Sequence, residues 1–408
     1  MNKIRKEYQK IGVFIEAYRM HWSASKAIRG DEKYMLIAFF GMIGDAVLFL
    51  NAYRFYQKYC ENTGLKLVLV ARKQVIDLYQ TLGESGDTEF IEVERNTIRS
   101  DRMAFRDTVK KISQHHYKYI LHVRARQAIE DCFLYAIPGD IKVVMRNNQV
   151  KPQSFIKRYF YDHTFNRTIY ADENSDQYGR YGKMIKELFE PGFLSAIGKI
   201  RRSKIEDKIQ RKGISIDMTE KYAVVSAGAS QERKCWPIDR FAEVIKMLVE
   251  ELEMNVCLVG SLTDSVISKK IMEIRGGGYS NHVFDATGKT TTQEWIELIR
   301  NASIVVTNDS ASVHIAAAVD TPSVCVSPQH DGYRFLPYAP DLVHQGDCLP
   351  VPVRCKKLDC FDCQLNNRES EAQSNSLCRK SIQENGVIKC IYDITTEEVC
   401  EAVRAVLQ

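Results

Sequence analysis

Short apolar runs and amphipathic stretches alternate along both halves of the chain. Brief β-branched and apolar runs bounded by turn residues predict buried strands, whereas apolar residues recurring every three or four positions predict helices. Strands that alternate with helical stretches predict βαβ units and therefore parallel sheets. We predict strands at residues 34–40, 65–71, 90–93, 119–123, 141–145, 222–226, 255–259, 282–285, 303–307 and 322–327.

The grouping of these elements predicts two α/β domains joined by a connector. The first domain spans residues 34–195, and the second spans residues 221–408 after a charged connector at residues 196–220. Within the connector, charged residues interspersed with isoleucines predict a helix at residues 197–211. The strand at 322–327 is expected to be the last one. Each domain is expected to carry a Rossmann-like, doubly wound parallel sheet.

Residues 1–33 precede the first strand and form a basic, aromatic extension. Its apolar residues recur at helical spacing: Ile11, Phe14, Ile15, Tyr18 and Trp22. Such a stripe favours a helix that docks on its own domain. An interfacial helix that touches anionic lipid is the alternative.

Composition and charge exclude several classes of protein. At 408 residues, with 45% hydrophobic and 27% charged residues, the chain is long enough for two domains with full cores. The mild net charge of +5 comes without the dense basic stripe of a nucleic-acid-binding protein. No stretch reaches the roughly 18 apolar residues of a membrane span, and no signal-peptide core follows the basic start. We therefore expect a cytoplasmic protein with at most peripheral membrane contact.

A polar loop, Gly41-Met-Ile-Gly44-Asp45, follows the first predicted strand and leads into a helix. Two glycines between a buried strand and a helix let the backbone approach a ligand closely. The spacing G-x-x-G-D differs from the dinucleotide motif G-x-G-x-x-G, so NAD binding is not expected. Asp45 lies at the helix start, where a plain N-cap is the competing interpretation.

Charged residues also follow the strand predicted at 119–123. His122, Arg124 and Arg126 are candidates to line the same site as Asp45. Surface charge at a strand end is the favoured interpretation for all three.

A second polar loop, at residues 226–234, follows the first strand of the second domain. A third, at residues 308–314, consists of Asn308, Asp309 and Ser310 before a small-residue helix, whose amide groups and dipole favour an anion. Asp309 and His314 lie about a turn and a half apart, so both are expected to line one pocket. The competing interpretation is that Asp309 caps the helix and His314 packs.

The residues of the three loops resemble a known family. Gly41-Met-Ile-Gly-Asp45-Ala-Val-Leu is similar to its opening G-D turn. Gly228-Ala-Ser-(4)-Cys-Trp-Pro237-(3)-Phe241-Ala matches its loop G-A-S … K-x-W-P … F-A, and Asn308-Asp-Ser-(3)-His314-(2)-Ala-Ala matches its turn N-D-[TS]-G-x-x-H-x-A-A. The family is the bacterial heptosyltransferases of glycosyltransferase family 9, and the resemblance covers residues 34 to about 400.

The resemblance implies a GT-B fold, in which two Rossmann-like domains face a cleft. It also implies an inverting, metal-independent glycosyltransferase that needs no cofactor for catalysis. The donor would be a nucleotide sugar, ADP-heptose, and the acceptor a surface glycan such as the lipopolysaccharide core or another glycolipid. Nucleic acid is not expected among the partners.

The positions that match the family's motifs carry its residue roles. Asp45 matches the catalytic base that takes the proton of the acceptor hydroxyl. Lys234 matches the phosphate-binding lysine, and Arg233 beside it is a candidate to share that role. Ala311 stands where the family usually has glycine, which would compromise any need for positive φ. The donor-binding set implied by the resemblance is Ser230, Lys234, Asp309, Ser310, Ala311 and His314.

Four cysteines near the carboxyl end have a spacing compatible with a metal site. The pattern is Cys360-x2-Cys363-x14-Cys378-x11-Cys390, with Cys355 as a further thiol. Four thiolates complete a tetrahedral site, for which zinc is the default ion. The pattern resembles the iron-binding cysteine finger of the branch that glycosylates autotransporter proteins. The alternative is that these are buried thiols without a metal.

Three other functions remain open at the level of the sequence. One is a nucleotide-sugar-dependent protein O-glycosyltransferase of the autotransporter type. Another is a nucleotide-sugar-binding homologue without turnover, against which the presence of Asp45 argues. The third is a GT-B isomerase or hydrolase, which would need more acidic and histidine residues in the loops of the first domain.

Overall fold

The computed structural model describes residues 2–24, 33–124, 128–146, 152, 154–172, 175–203, 208–211, 214–229, 231, 234–275, 281–329, 334–339, 342, 346–356, 358 and 387–408. The chain divides into two compact units. Unit 1 consists of Met1–Ser175 and Gly179–Ser195, and unit 2 consists of Asp176–Tyr178 and Ala196–Gln408.

The described residues in the first half of the chain form six strands and eight helices. The strands are β1 (Tyr34–Phe39), β2 (Lys66–Ala71), β3 (Glu89–Glu92), β4 (Tyr117–His122), β5 (Gly139–Arg146) and β6 (Arg167–Tyr170). The helices are α1 (Asn2–Ala24), α2 (Ile43–Thr63), α3 (Lys73–Thr81), α4 (Arg95–Ser100), α5 (Arg102–Ile112), α6 (Ala128–Tyr135), α7 (Phe155–His163) and α8 (Gln177–Leu188). All six strands are parallel, in the order β3-β2-β1-β4-β5-β6. The side chains of β1 and β2 are almost all buried, as expected of a parallel sheet covered by helices.

The second half repeats this plan. Its strands are β7 (Lys208–Arg211), β8 (Ile214–Asp217), β9 (Tyr222–Ser226), β10 (Asn255–Leu258), β11 (Val283–Asp285), β12 (Ile304–Asn308), β13 (Ser323–Val326) and β14 (Val351–Val353). Its helices are α9 (Ile238–Glu250), α10 (Ser265–Arg275), α11 (Thr292–Asn301), α12 (Ala311–Ala318), α13 (Lys389–Tyr392) and α14 (Thr396–Leu407), with a 3₁₀ turn at Leu262–Asp264. Strands β9 to β14 form a parallel sheet in the order β11-β10-β9-β12-β13-β14, and β7 pairs with β8 in an antiparallel ribbon. The predicted α/β class with two doubly wound parallel sheets is confirmed.

The strand order reverses once in each sheet. In unit 1 the reversal lies between β1 and β4, and in unit 2 it lies between β9 and β12. At such a switch point the connections leave towards opposite faces, which opens a crevice at the carboxyl ends of the two central strands. Each unit therefore has one edge where a ligand is expected to bind.

The predicted helix at residues 197–211 is wrong. Residues 197–203 are neither helix nor strand, and Lys208–Arg211 is a strand. The segment 197–203 is held within unit 2 by tertiary bonds: the Ile200 amide donates to the Ala318 carbonyl at 2.9 Å, and the Ser203 amide donates to Glu297 at 3.0 Å. Local charge patterning cannot reveal such partners, since they lie about a hundred residues away.

The expectation that residues 322–327 are the last strand is also wrong, because β14 pairs in parallel with β13. This strand is a three-residue segment, Val351-Pro-Val353, within a proline-rich stretch. Proline is confined to sheet edges, and β14 is the edge strand of its sheet. An isolated run this short gives no periodicity to detect.

Helix α1 docks on unit 1 through one face, as favoured from the sequence. Val13 and Ala17 are fully buried, and Phe14 stacks on Phe160 of α7 with a ring-centroid distance of 5.5 Å. Glu16 is buried between two arginines of α5, with ion-pair distances of 2.7 Å to both Arg102 and Arg106. The docked face therefore combines apolar packing with one buried carboxylate, that of Glu16, whose charge is balanced by arginines.

A buried lysine makes the stability of unit 1 dependent on pH. Burial lowers the pKa of Lys142 to about 7, although its Nζ donates to the carbonyls of Leu134 at 2.9 Å and Ile137 at 2.5 Å near the end of α6. Between pH 7 and the ordinary lysine pKa of about 10.4, the unfolded chain holds a proton that the folded chain lacks, so stability rises with pH. From pH 7.5 to 9 we expect the free energy of unfolding to gain up to about 1.4 kcal/mol per pH unit relative to Lys142→Met.

Urea unfolding of both proteins at each pH measures this difference. The variant loses donors to the carbonyls and should be less stable throughout, so the comparison uses the slope with pH rather than the absolute stability. Equal slopes would mean that the carbonyl bonds keep the amine of Lys142 charged in the folded state.

Candidate functional site

Asp45 lies at the start of α2, directly beyond β1. Its carboxylate accepts a hydrogen bond from the Met42 amide at 2.9 Å, in the geometry of a capping box with Met42 as N-cap. The same carboxylate forms an ion pair with Arg124, which follows β4. Both side chains are buried. The capping interpretation of Asp45 is therefore correct as a description of its backbone contact, and the ion pair adds a second role across the switch point of the sheet.

Gly41 makes this position of Asp45 possible. A Cβ atom at residue 41 would lie 2.7 Å from Cβ of Asp45 and 2.7 Å from the ring of Phe39. Neither neighbour could retreat without moving β1 or the first turn of α2, so only glycine fits. The sequence suggested that this glycine admits a ligand, whereas in the structure it admits the side chain of Asp45.

The interpretation of His122 and Arg124 as surface charges is wrong. Both side chains are buried, because each has a carboxylate partner: Arg124 pairs with Asp45, and His122 lies 3.3 Å from Glu130 of α6. Arg126, which we grouped with them, lies outside the described residues. Parallel strands bring these groups together from segments about eighty residues apart.

A wider network of buried charges surrounds this pair, and sequence reasoning missed most of it. Arg95 pairs with Glu130 at 2.6 Å and donates to the carbonyl of Phe40 at 3.1 Å. Arg146 pairs with Asp131 at 3.0 Å, and burial raises the pKa of Asp131 to about 6. The available signal was Glu130-Asp131, two acidic residues within the apolar helix α6. Charges at this depth are retained where they are paired.

In unit 2, Lys234 and Asp309 meet across the other switch point. Lys234 lies in the loop after β9, Asp309 follows β12, and Nζ lies 3.1 Å from Oδ2. Their side chains are only 8% and 9% exposed. A lysine and a carboxylate that are nearly desolvated attract each other strongly, and the lysine can exchange this partner for another anion.

Asn308 fixes the two loops of unit 2 to each other. Its amide nitrogen donates to the carbonyl of Ala227 at 2.6 Å, and its side-chain oxygen accepts from the Trp236 amide at 3.0 Å. Trp236 is buried and its indole nitrogen donates to the carbonyl of Ile394 at 2.9 Å. From the sequence alone, Asn308 was placed in the polar loop without a role of its own. Its actual bonds hold the backbone on both sides of Lys234.

Ser310, and not Asp309, is the N-cap of α12, a position that serine favours. Its hydroxyl accepts from the Ser312 amide at 3.3 Å and lies 2.9 Å from the hydroxyl of Thr307. Ala311 begins the helix, and positive φ among the described non-glycine residues is found at Glu253 and Asp320. The alanine that replaces the family's glycine therefore needs no strained backbone.

His314 is buried in α12 and faces a loop that the sequence did not single out. Its Nδ1 lies 2.8 Å from the hydroxyl of Tyr338, and the two rings stack. Phe335 of the same loop lies 6.0 Å from Nζ of Lys234, and Arg334 packs over that ring. The packing interpretation thus describes the contact with Tyr338, while the predicted donor contact of His314 stays a prediction.

Two glycine-containing turns pack closely together at the carboxyl ends of β9 and β10. A Cβ atom at Gly228 would lie 2.4 Å from a carboxylate oxygen of Asp264, and one at Gly260 would lie 3.0 Å from the same carboxylate. Asp264 accepts from the Ser261 amide at 2.8 Å, so it cannot easily move. The glycine of the G-A-S motif is required by this close packing.

Several predicted site residues lie outside the described part of the chain. These are Ser230, Arg233, Cys360, Cys363 and Cys378. Cys390 is described and is buried in the same apolar cluster as Cys355. Among described residues no group of three or more His, Cys, Asp or Glu side chains is placed to hold a metal.

Each unit thus offers one chemical arrangement at its switch point. Unit 2 combines the amide groups at the start of α12 with a lysine held against Asp309, which suits a phosphate group. Unit 1 presents a carboxylate held by an arginine and a backbone amide. None of the helices in the described residues is long and apolar enough to cross a membrane.

Comparison with known proteins supports one family. Residues 190–360 match the family described as Glycosyltransferase family 9 (heptosyltransferase). Lipopolysaccharide heptosyltransferase 1 of Campylobacter coli is 22% identical over 268 residues, which cover 63% of this chain and 72% of that protein. Lipopolysaccharide heptosyltransferase 3 of Escherichia coli K12 is 29% identical over 149 residues, or 36% of this chain and 43% of that protein.

Solved structures extend the likeness to nearly the whole chain. A glycosyl transferase family 9 protein from Veillonella parvula has a TM-score of 0.66 at 14% identity, with 94% of this chain and 99% of that chain covered. The E. coli ADP-heptose lps heptosyltransferase II has a TM-score of 0.57 at 18% identity, with 92% and 98% covered. At these identities the likeness concerns the fold, which is GT-B as predicted.

Proposed function

We propose that this chain, whose residues 190–360 match glycosyltransferase family 9, transfers heptose from ADP-heptose to a surface glycan such as the lipopolysaccharide core. The observation that supports this most directly is the pair of Lys234 and Asp309 across the switch point of unit 2, beside the capped start of α12. The similar proteins are named as lipopolysaccharide heptosyltransferases, and one solved neighbour is named for ADP-heptose.

We assign donor binding to the second domain, residues 221–408. In this proposal Lys234 turns from Asp309 to the diphosphate, where it offsets the charge that develops on the departing ADP. The amides of Ser310 and Ala311 bind the same phosphates, since a helix start offers unpaired N–H groups and a favourable dipole. Asp309, Ser230 and His314 complete the proposed donor site.

We assign acceptor binding to the first domain, residues 34–195, with Asp45 as the catalytic base. The carboxylate takes the proton of the acceptor hydroxyl while that oxygen bonds to the anomeric carbon and the bond to ADP breaks. Attack opposite the leaving group inverts the configuration at that carbon. A lysine and helix amides supply positive charge at the diphosphate, so this proposal requires no catalytic metal ion. Residues 196–220 would connect the two domains.

A glycolipid acceptor would bring the enzyme to the cytoplasmic face of the inner membrane. We also propose that Cys360, Cys363, Cys378 and Cys390 bind a structural zinc or iron ion. The support is the C-x-x-C pair in the sequence and the burial of Cys390. Elemental analysis of the purified protein at well below one metal ion per chain would contradict this.

A panel of nucleotide sugars tests the transferase proposal. We expect ADP-heptose to raise the thermal unfolding temperature in a concentration-dependent manner, because a ligand that binds only the folded state stabilises it. With heptose-deficient lipopolysaccharide as acceptor, ADP should be released and the acceptor should gain the mass of one heptose. Stabilisation by a different nucleotide sugar alone would overturn the donor assignment, and donor binding without transfer to any acceptor would favour the non-catalytic alternative.

A further inference from the structure

Helix α1 carries a second apolar face opposite the one that docks. Residues Val13 and Ala17 point into unit 1, whereas Ile11, Ile15, Tyr18 and Trp22 are 41–56% exposed. At 100° per residue these four exposed side chains lie within a stripe on the far side of the helix from the docked residues. In the sequence Ile4 and Tyr8 continue the same spacing towards the start of the helix.

The exposed face extends onto the neighbouring helix. Tyr18 contacts Tyr159 of α7 with a ring-centroid distance of 6.3 Å, and Phe155 lies one turn before Tyr159. Phe155 is 84% exposed, and Ile156 beside it is also exposed. Apolar side chains gathered in this way over two neighbouring helices indicate an interaction surface.

The composition of this surface suits the interface of a lipid bilayer. Tyrosine and tryptophan have an apolar body and a polar tip, and they are enriched where a membrane meets water. Isoleucines between them would enter the boundary of the acyl chains, as in helices that lie in the membrane plane.

Charge distinguishes an anionic membrane from a second copy of the chain. Residues 1–33 contain eight lysines and arginines but only four acidic residues, an excess of four in a chain whose net charge is +5. Glu16, one of the four, is buried against Arg102 and Arg106. Arg19 is exposed beside the stripe. Two such basic surfaces repel each other, whereas anionic headgroups attract them.

We propose that the face formed by Ile11, Ile15, Tyr18 and Trp22, together with Phe155 and Ile156, binds the surface of an anionic lipid bilayer. This goes beyond the proposed transferase function and does not depend on it. Bound in this way, the protein lies on the membrane, held by partial burial of the apolar face and by attraction of its basic residues.

Flotation of the full-length protein with vesicles tests the proposal in the absence of donor and acceptor. We expect binding to vesicles of phosphatidylglycerol and phosphatidylethanolamine, and at least about tenfold weaker partitioning to phosphatidylcholine alone. Trp22 is far more exposed than the buried Trp236, so a blue shift of tryptophan emission on binding should report its entry into lipid.

Substitutions on the exposed face leave the docked face intact. Ile15→Glu with Trp22→Glu should reduce partitioning to anionic vesicles at least about tenfold and abolish the blue shift. The matched control, Leu262→Glu with Val266→Glu, changes the net charge equally at exposed residues of unit 2 and should bind like the wild type. Arg19→Gln should weaken binding about fivefold.

Three results would overturn the proposal. The first is wild-type protein that stays unbound at every content of phosphatidylglycerol. The second is a face variant that binds as well as the control. The third is concentration-dependent self-association by sedimentation velocity that the face variant abolishes, without lipid binding, which would assign the face to a second copy. Because no sugar transfer is measured, none of these results bears on the proposed activity.

Discussion

Asp45→Asn should lower kcat by about 10²–10⁴-fold while leaving donor affinity within about twofold, because the loss of a general base costs this much and the donor site that we propose lies within unit 2. Asparagine keeps an oxygen that can accept the Met42 amide, so the cap of α2 survives better than with alanine. Steady-state kinetics with ADP-heptose and a glycan acceptor measure kcat, and calorimetry measures donor affinity.

The control for Asp45→Asn must separate the effect of losing the general base from the effects of losing the helix cap and the ion pair with Arg124. Glu398 occupies the same capping-box position in α14, accepting from the Thr395 amide at 2.8 Å. Glu398→Gln should therefore cost a similar capping energy without changing kcat. Loss of Asp45 also leaves Arg124 buried without that carboxylate, so thermal unfolding must show that unit 1 is folded. A folded Asp45→Asn enzyme with kcat within tenfold of the wild type would remove Asp45 from the role of base.

The sheet of each unit could be predicted because its strands are continuous apolar runs. Strands β1, β9 and β12 were each located to within about one residue, since buried parallel strands are apolar on both faces. Strand β14 and the irregular segment 197–203 were not predicted, since their structure depends on distant partners. The missed elements are thus those whose stability comes from tertiary bonds rather than from local pattern.

The same distinction applies to the candidate sites. Asp45, Lys234 and Asp309 stood out because each sits in a motif beside a strand end. The residues that contact the predicted site were not recognised: Arg124, the partner of Asp45, was assigned to the surface, and Tyr338, the partner of His314, was not considered. Pairing across a switch point requires knowledge of strand order, and sequence spacing alone does not supply it.

Knowledge of the strand order reveals a correspondence between the two units. In each unit the segment after the first central strand carries one member of a buried ion pair, Asp45 or Lys234, and the segment after the other central strand carries its partner. The signs of the charges are reversed: after the first central strand, unit 1 has the carboxylate and unit 2 has the lysine. This reversal matches the division of labour that we propose, a base for the acceptor and a cation for the diphosphate.

Lys234→Met should weaken ADP-heptose binding by about 10–100-fold, the equivalent of one or two charge-assisted hydrogen bonds to the diphosphate. Calorimetry measures the affinity. Lys199→Met is the matched control, since Lys199 pairs with Asp320 at 2.5 Å beyond the opposite end of α12. Loss of that lysine should leave donor affinity unchanged. Equal affinities of Lys234→Met and the wild type would remove Lys234 from the donor site.

A double variant decides why the affinity falls. Lys234→Met alone leaves Asp309 nearly buried without this cation, which would destabilise unit 2 and repel the diphosphate. Adding Asp309→Asn removes that charge and should restore much of the lost stability. If Lys234 binds the phosphates directly, the double variant regains stability but not affinity. Recovery of affinity would instead mean that Lys234 acts only by neutralising Asp309, and the diphosphate would then depend on the amides at the start of α12.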